Sequence, residues 1–143
     1  MTLKPRQDAY PIDALLPELC NRFQPGRTLL LQAPPGAGKT TRVPLALIGA
    51  LGDEIRRDGQ IWMIEPRRLA ARAAAARLAA SLEEAVGQRI GFAVRGEQRR
   101  SARTQVEVIT DGLFLRRLQA DPSLDGVSCV LFDEFHERRR DAD

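Results

Sequence analysis

Apolar residues along the chain fall into two alternating patterns, short unbroken runs and longer stretches at helical spacing, and that alternation predicts the architecture. Thr28-Leu29-Leu30-Leu31-Gln32, Gln60-Ile61-Trp62-Met63-Ile64-Glu65, Arg89 to Val94, Thr104 to Thr110 and Val127-Ser128-Cys129-Val130-Leu131-Phe132 are runs of strand length. Ile12, Leu15, Leu16, Leu19 and Phe23 instead recur at helical spacing, with Asp13 near the start. Pro17 removes one hydrogen bond from that helix, which is therefore kinked or begins later. Gln24-Pro25-Gly26-Arg27 is a turn. Val43 to Leu51 predicts a helix burying Leu45, Leu47, Ile48 and Leu51, with Pro44 in its first turn, where a missing N–H is least harmful. Leu69 to Leu82 is alanine-rich and helical, and Asp111 to Ala120 is a helix with Leu113, Phe114, Leu115 and Leu118 inward. Gly52 to Gly59 and Arg95 to Arg103 read as polar connections, and Pro66 stops the second run. Strands alternating with helices predict an α/β fold: a mostly parallel sheet covered on both faces, in three layers.

Between the first strand-like run and the next helix lies Ala33-Pro34-Pro35-Gly36-Ala37-Gly38-Lys39-Thr40. A glycine-rich turn at that place wraps backbone N–H groups round nucleotide phosphates, with the positive end of the following helix aimed at the same charge. Gly36 and Gly38 let the backbone come close, Pro35 and Ala37 complete the loop, and Thr41 follows it. Lys39 is expected to reach the β- and γ-phosphates, and the Thr40 hydroxyl to hold Mg²⁺. The pattern G-x-x-x-x-G-K-[ST] is met except at its first position, which is Ala33. A plain surface turn before a helix is the alternative, but it does not account for strand, turn and helix signals falling where the motif needs them.

Size and charge change this picture little. A chain of 143 residues suits one domain. The formal net charge is +3, from 22 Lys+Arg against 19 Asp+Glu, and Lys4 and Lys39 are the only lysines. Arginine pairs bidentately with phosphate, yet an arginine- and alanine-rich composition also follows from coding bias, so composition permits a nucleic-acid partner without requiring one. Cys20 and Cys129 lie in apolar runs and read as reduced core residues. With His136 the single histidine, no His/Cys zinc cluster can form. The first residues lack the apolar core of a signal peptide and no apolar run approaches membrane-spanning length. A cytoplasmic, soluble protein with no membrane partner is the expectation.

In parallel sheets ligands gather at the carboxyl ends of strands. Three features sit at such ends: the glycine-rich loop, Pro66-Arg67-Arg68, and Asp133-Glu134. Neighbouring carboxylates on an extended backbone point apart and can hold different jobs. Asp133 is suited to Mg²⁺, and Glu134 to orienting and deprotonating the water that attacks the γ-phosphate. An exposed acidic turn is the alternative for this pair taken alone.

Asp133-Glu134-Phe135-His136-Glu137-Arg138, with APPGAGKTTRVPLAL and EPRRLAARAAAARLA upstream, resembles motif II and its companions in the DEAH-box branch of superfamily 2 helicases. The likeness runs from about Tyr10 to Asp143. It implies a RecA-like P-loop NTPase lobe, ATP and Mg²⁺ as cofactors, and single-stranded nucleic acid, RNA above DNA, as partner. Glu134 is then also among the metal-site residues, and His136 links the nucleotide site to nucleic-acid binding. Pro66-Arg67-Arg68 corresponds to motif Ia and Thr110-Asp111-Gly112 to motif Ib, both touching the sugar-phosphate backbone. Arg77 corresponds to an arginine that stacks on adenine. Without the resemblance, Arg67 and Arg68 read as a solvated helix start and Arg77 as an exposed helix arginine.

The family's core has two RecA-like lobes, and residues 1–143 would hold part of the first, without motif III and without the arginine fingers of the second. Such fingers are worth about 10³ to 10⁵ in phosphoryl-transfer rate, so the chain alone is expected to bind ATP but scarcely turn it over. The motif III strand of such lobes lies between the phosphate-loop strand and the motif II strand, so both are expected to expose an edge, as in a partial gene product. Two rivals stand beside the helicase: a nucleotide-binding module without motor activity, and a small-molecule kinase. The kinase gives no reason for Asp-Glu-x-His or for paired arginines at a strand end.

Overall fold

The structure, a computed structural model, describes residues 10–33, 38–52 and 59–133. Its sheet has five strands: β1 (Gln60–Glu65), β2 (Ile90–Val94), β3 (Glu97–Arg99), β4 (Val106–Thr110) and β5 (Val127–Phe132), in the order β3-β2-β4-β1-β5. β2, β4, β1 and β5 are parallel; β3 folds back antiparallel on β2 through a turn in which Gly96 takes φ 82°. The helices are α1 (Leu16–Arg22), α2 (Lys39–Ala50), α3 (Arg68–Ser81) and α4 (Asp111–Ala120), preceded by a 3₁₀ turn, Pro11–Ala14.

Alternation along the strands builds the two faces. Ile61, Met63, Ile90, Phe92, Val94, Val106, Val108 and Cys129 meet one face, which α3 covers with Ala71, Ala74, Ala75, Leu78 and Ala79 and α2 with Val43 and Leu47. Ile64, Ala93 and Ile109 point to the other, where α4 brings Phe114, with Trp62, Leu118 and Val130 around it. Alanines on α3 let that helix lie close to the sheet. Burying Ile61, Leu78 or Ile90, all at 0% exposure, contributes about 1.5 to 3 kcal/mol each.

Four details depart from the sequence-based expectation. Thr28–Gln32 joins no strand of the sheet; Leu31 and Ala33 pack on the core, but Leu30 is 78% exposed. An apolar run becomes a strand only where an edge accepts its backbone, and among the described residues β5 pairs with β1 alone. The stretch taken as connection between β2 and β4 holds β3, a polar strand fixed by backbone pairing rather than by buried side chains. Helix α2 starts at Lys39, so Pro44 lies beyond the first turn, inside the helix. Leu115 is 54% exposed, because Phe114 takes the inward position on α4. The N-terminal apolar stretch resolves into the 3₁₀ turn and α1, which places Pro17 in the first turn of α1.

Candidate functional site

Gly38 ends the glycine-rich stretch in a left-handed conformation, φ 95°, and is the residue before α2. That conformation favours glycine, and the position is closed to a side chain a second way: a Cβ there would lie 2.5 Å from Cγ of Tyr10. The Tyr10 ring lies against Gly38, with the Arg42 guanidinium 4.8 Å from its centroid. Asp13 accepts a hydrogen bond from the Tyr10 backbone N–H at 3.0 Å and faces Arg42 Nε at 3.7 Å. Sequence reasoning missed this cluster around the helix start; the close approach of an aromatic ring to a glycine so distant in sequence has no local signal.

Lys39 and Thr40 open α2 and both are half-buried, as is Thr41 beside them. The N-cap is Gly38, and among the described residues no side chain caps this helix start, so its first N–H groups carry the positive potential that attracts an anion. At the far end of the chain β5 delivers Asp133, whose backbone N–H donates to the Ile64 carbonyl at 3.1 Å. The Thr40 hydroxyl donates to Asp133 Oδ2 at 2.8 Å, joining residues 93 positions apart. A hydroxyl and a carboxylate oxygen side by side, next to a helix N-terminus, are oxygen donors of the kind a hard divalent cation takes. Among the described residues no group of three or more His, Cys, Asp or Glu side chains could hold a metal alone.

The nucleic-acid candidates lie at the same edge of the sheet. Arg67 caps α3 in extended conformation and Arg68 is its first residue; both are exposed. Glu65, which ends β1, is in register with Thr110, which ends β4. Thr110 is buried and stands at the N-cap of α4; Asp111 is half-buried and Gly112 exposed, so the first turn of α4 is the accessible part of that motif. Arg77 is exposed in the latter half of α3, the helix that packs beside α2. Of the expected site residues, the structure brings Thr40 and Asp133 into contact and puts Arg67, Arg68 and Thr110 to Gly112 at one edge. Pro35, Gly36, Ala37, Glu134 and His136 lie outside the described residues.

Both cysteines are free thiols, but only Cys129 is a core residue, Cys20 being half-buried. Cys20 on α1 approaches the Ala46 carbonyl at 3.8 Å, and burial raises its thiol pKa. Cys129 in β5 is buried, and burial pushes its thiol up to about 11. No described helix is long and apolar enough to cross a membrane.

Comparison with known proteins agrees with this geometry. The sequence model of the DEAD/DEAH box helicase family matches residues 15–142. The ATP-dependent RNA helicase HrpB of Escherichia coli (strain K12) is 44% identical over 135 residues, 94% of this chain and 16% of that protein. The DExH-box ATP-dependent RNA helicase DExH1 of Arabidopsis thaliana is 34% identical over 142 residues, 99% of this chain and 14% of that one. Among solved structures, the E. coli DEAH/RHA helicase HrpB matches with TM-score 0.82 at 44% identity, over 90% of this chain and 16% of its own. A second, of the E. coli DExH-box NTPase HrpB, gives TM-score 0.84 at 42% identity, over 94% of this chain and 16% of its own. The chain therefore spans 14% to 16% of the length of the curated relatives it matches. With a mostly parallel sheet of the RecA-like kind and a family match across residues 15–142, the chain belongs to the DEAD/DEAH box helicase family.

Proposed function

We propose that these residues are the nucleotide-binding part of the first RecA-like lobe of a cytoplasmic ATP-dependent RNA helicase, one that couples ATP hydrolysis to unwinding or remodelling of nucleic acid. The observation that carries the reading is the Thr40–Asp133 hydrogen bond at 2.8 Å. It joins the helix after the glycine-rich loop to the strand before the acidic pair, and a structural turn at either place gives no reason for the two to meet.

In this reading Pro35 to Lys39 hold the ATP phosphates through backbone N–H groups and the Lys39 ammonium, and Arg77 stacks on adenine. Thr40 and Asp133, with Glu134 beside them, hold Mg²⁺, whose charge offsets that developing on the phosphates. Glu134 orients the attacking water and takes its proton. His136 relays the state of that site toward Arg67, Arg68, Thr110, Asp111 and Gly112, which hold the backbone of single-stranded RNA. Exposed arginines at a helix start, and the positive end of the α4 dipole, are apt phosphate ligands that carry no sequence preference. Both curated relatives named above are described as ATP-dependent RNA helicases, which supports RNA as the partner.

The test uses a chain that carries these residues together with a second RecA-like lobe. Lys39→Ala should weaken ATP binding and abolish RNA-stimulated hydrolysis, whereas Glu134→Gln should keep ATP binding and lose turnover. Normal hydrolysis by Glu134→Gln would remove that residue as the base.

A further inference from the structure

Glu107 lies midway along β4 and is wholly buried, on the face that α4 covers. A carboxylate in such a place needs charged partners, and it has two, from separate elements. Arg117, two turns into α4, donates from Nη2 to Oε1 at 2.6 Å. Arg100, just after β3, donates from Nη1 to Oε2 at 3.3 Å and to Oε1 at 3.5 Å.

The surroundings are shaped for this arrangement. Gly91 stands opposite Glu107 in the β2–β4 register. A Cβ at position 91 would lie 2.6 Å from the Arg99 carbonyl oxygen and 3.1 Å from Arg100 Cβ, so the glycine gives Arg100 its path across the sheet. On the other side the Arg117 guanidinium lies over the Trp62 indole, 4.8 Å from the ring. Phe114 is the one buried residue of α4, with Leu113 and Leu118 partly buried beside it, so the angle of the helix rests on one small apolar patch. Arg117 lies one turn further along and supplies the second fixed point.

We propose that Glu107 is a positioning residue for nucleic-acid binding: through Arg117 it fixes the angle of α4, and so the place of the Asp111-Gly112 turn, and through Arg100 it ties the β2–β3 hairpin to the same point. The proposal rests on the reading that this turn holds the backbone of single-stranded RNA. It makes the binding edge depend on a charge that never touches the strand.

The sign of the effect separates positioning from background electrostatics. Removing a negative charge from a protein should strengthen its attraction for a polyanion, whereas releasing α4 should weaken it. The experiment measures the affinity of the chain for a fluorescent oligouridylate and for Mg-ATP, with Tm, in wild type, Glu107→Gln, and the exchanged pair Glu107→Lys with Arg117→Glu. The exchanged pair keeps the net charge and re-forms the contact to α4 with its signs reversed, while the lysine at position 107 gives up the attraction to Arg100. Glu107→Gln should bind the oligonucleotide about tenfold more weakly, within the range for changes in a coupled network, with Mg-ATP affinity unchanged. The exchanged pair should recover most of the loss, and it decides alone if Glu107→Gln fails to fold. Oligonucleotide binding by Glu107→Gln as tight as wild type or tighter, or parallel loss of both ligands with Tm, would overturn the proposal. So would an exchanged pair that recovers Tm but not binding. A wild-type chain that ignores the oligonucleotide would instead overturn the nucleic-acid reading itself, and this inference with it.

Discussion

Thr40 and Asp133 meet because each stands where its element ends: Thr40 in the first turn of α2, Asp133 one residue past β5. Each residue type was legible, since a hydroxyl after Gly-Lys and a carboxylate after an apolar strand are what a cation between protein and phosphate requires. Their contact was not, because 93 residues separate them and no local signal spans that distance. Tyr10 over Gly38 was hidden for the same reason. Buried Cys129 supplies a residue-scale test through pH. Its thiol pKa is raised from the ordinary 9.0 to about 11 by burial. Below pH 9.0 the thiol is protonated in both folded and unfolded chains and contributes no pH dependence. Between 9.0 and about 11 only the unfolded chain ionises, so stability is lost as pH rises. At about 1.4 kcal/mol per pKa unit the loss is on the order of 2 to 3 kcal/mol. Denaturant melts of wild type and Cys129→Ala across that window should diverge, with wild type losing more; parallel curves would mean the thiol is not shielded.

At the scale of elements, strands β1 and β5 and helices α3 and α4 follow the apolar pattern closely, because each buries side chains on the period of its own geometry. Two failures were of opposite kinds. β3 carries Glu97, Gln98 and Arg99 and is held by pairing with β2, so hydropathy does not reveal it. Thr28–Gln32 has the hydropathy of a strand but, among the described residues, pairs with none. Among the described residues β5 has no strand on its outer side, which sets a prediction. Val127 to Phe132 contains no charge and no proline, the devices that keep an open edge from pairing with another chain, and Phe132 is 50% exposed. Sedimentation velocity over a concentration series should show the apparent mass rising with concentration. A single monomeric species throughout would mean that this edge is covered.

For the molecule as a whole, the fold serves to bring one edge of a sheet together: the start of α2, the ends of β1 and β4, and Asp133 after β5. In the proposed reading nucleotide and nucleic acid share a frame in which β1 lies between β4 and β5, so a shift at Asp133 can pass through Ile64, which accepts its backbone N–H, to the end of β1 at Glu65 and on to Arg67 at the start of α3. The central claim is that Thr40 and Asp133 form a cation site completed by ATP. The measurement that tests it most directly is ATP binding by calorimetry with Mg²⁺ and with EDTA, in wild type and in Asp133→Asn. Wild type should bind ATP more tightly with Mg²⁺ than without, and Asp133→Asn should lose most of that difference while keeping its affinity in EDTA. ATP binding that is indifferent to Mg²⁺ in wild type, or a Mg²⁺ effect that survives Asp133→Asn intact, would contradict the account.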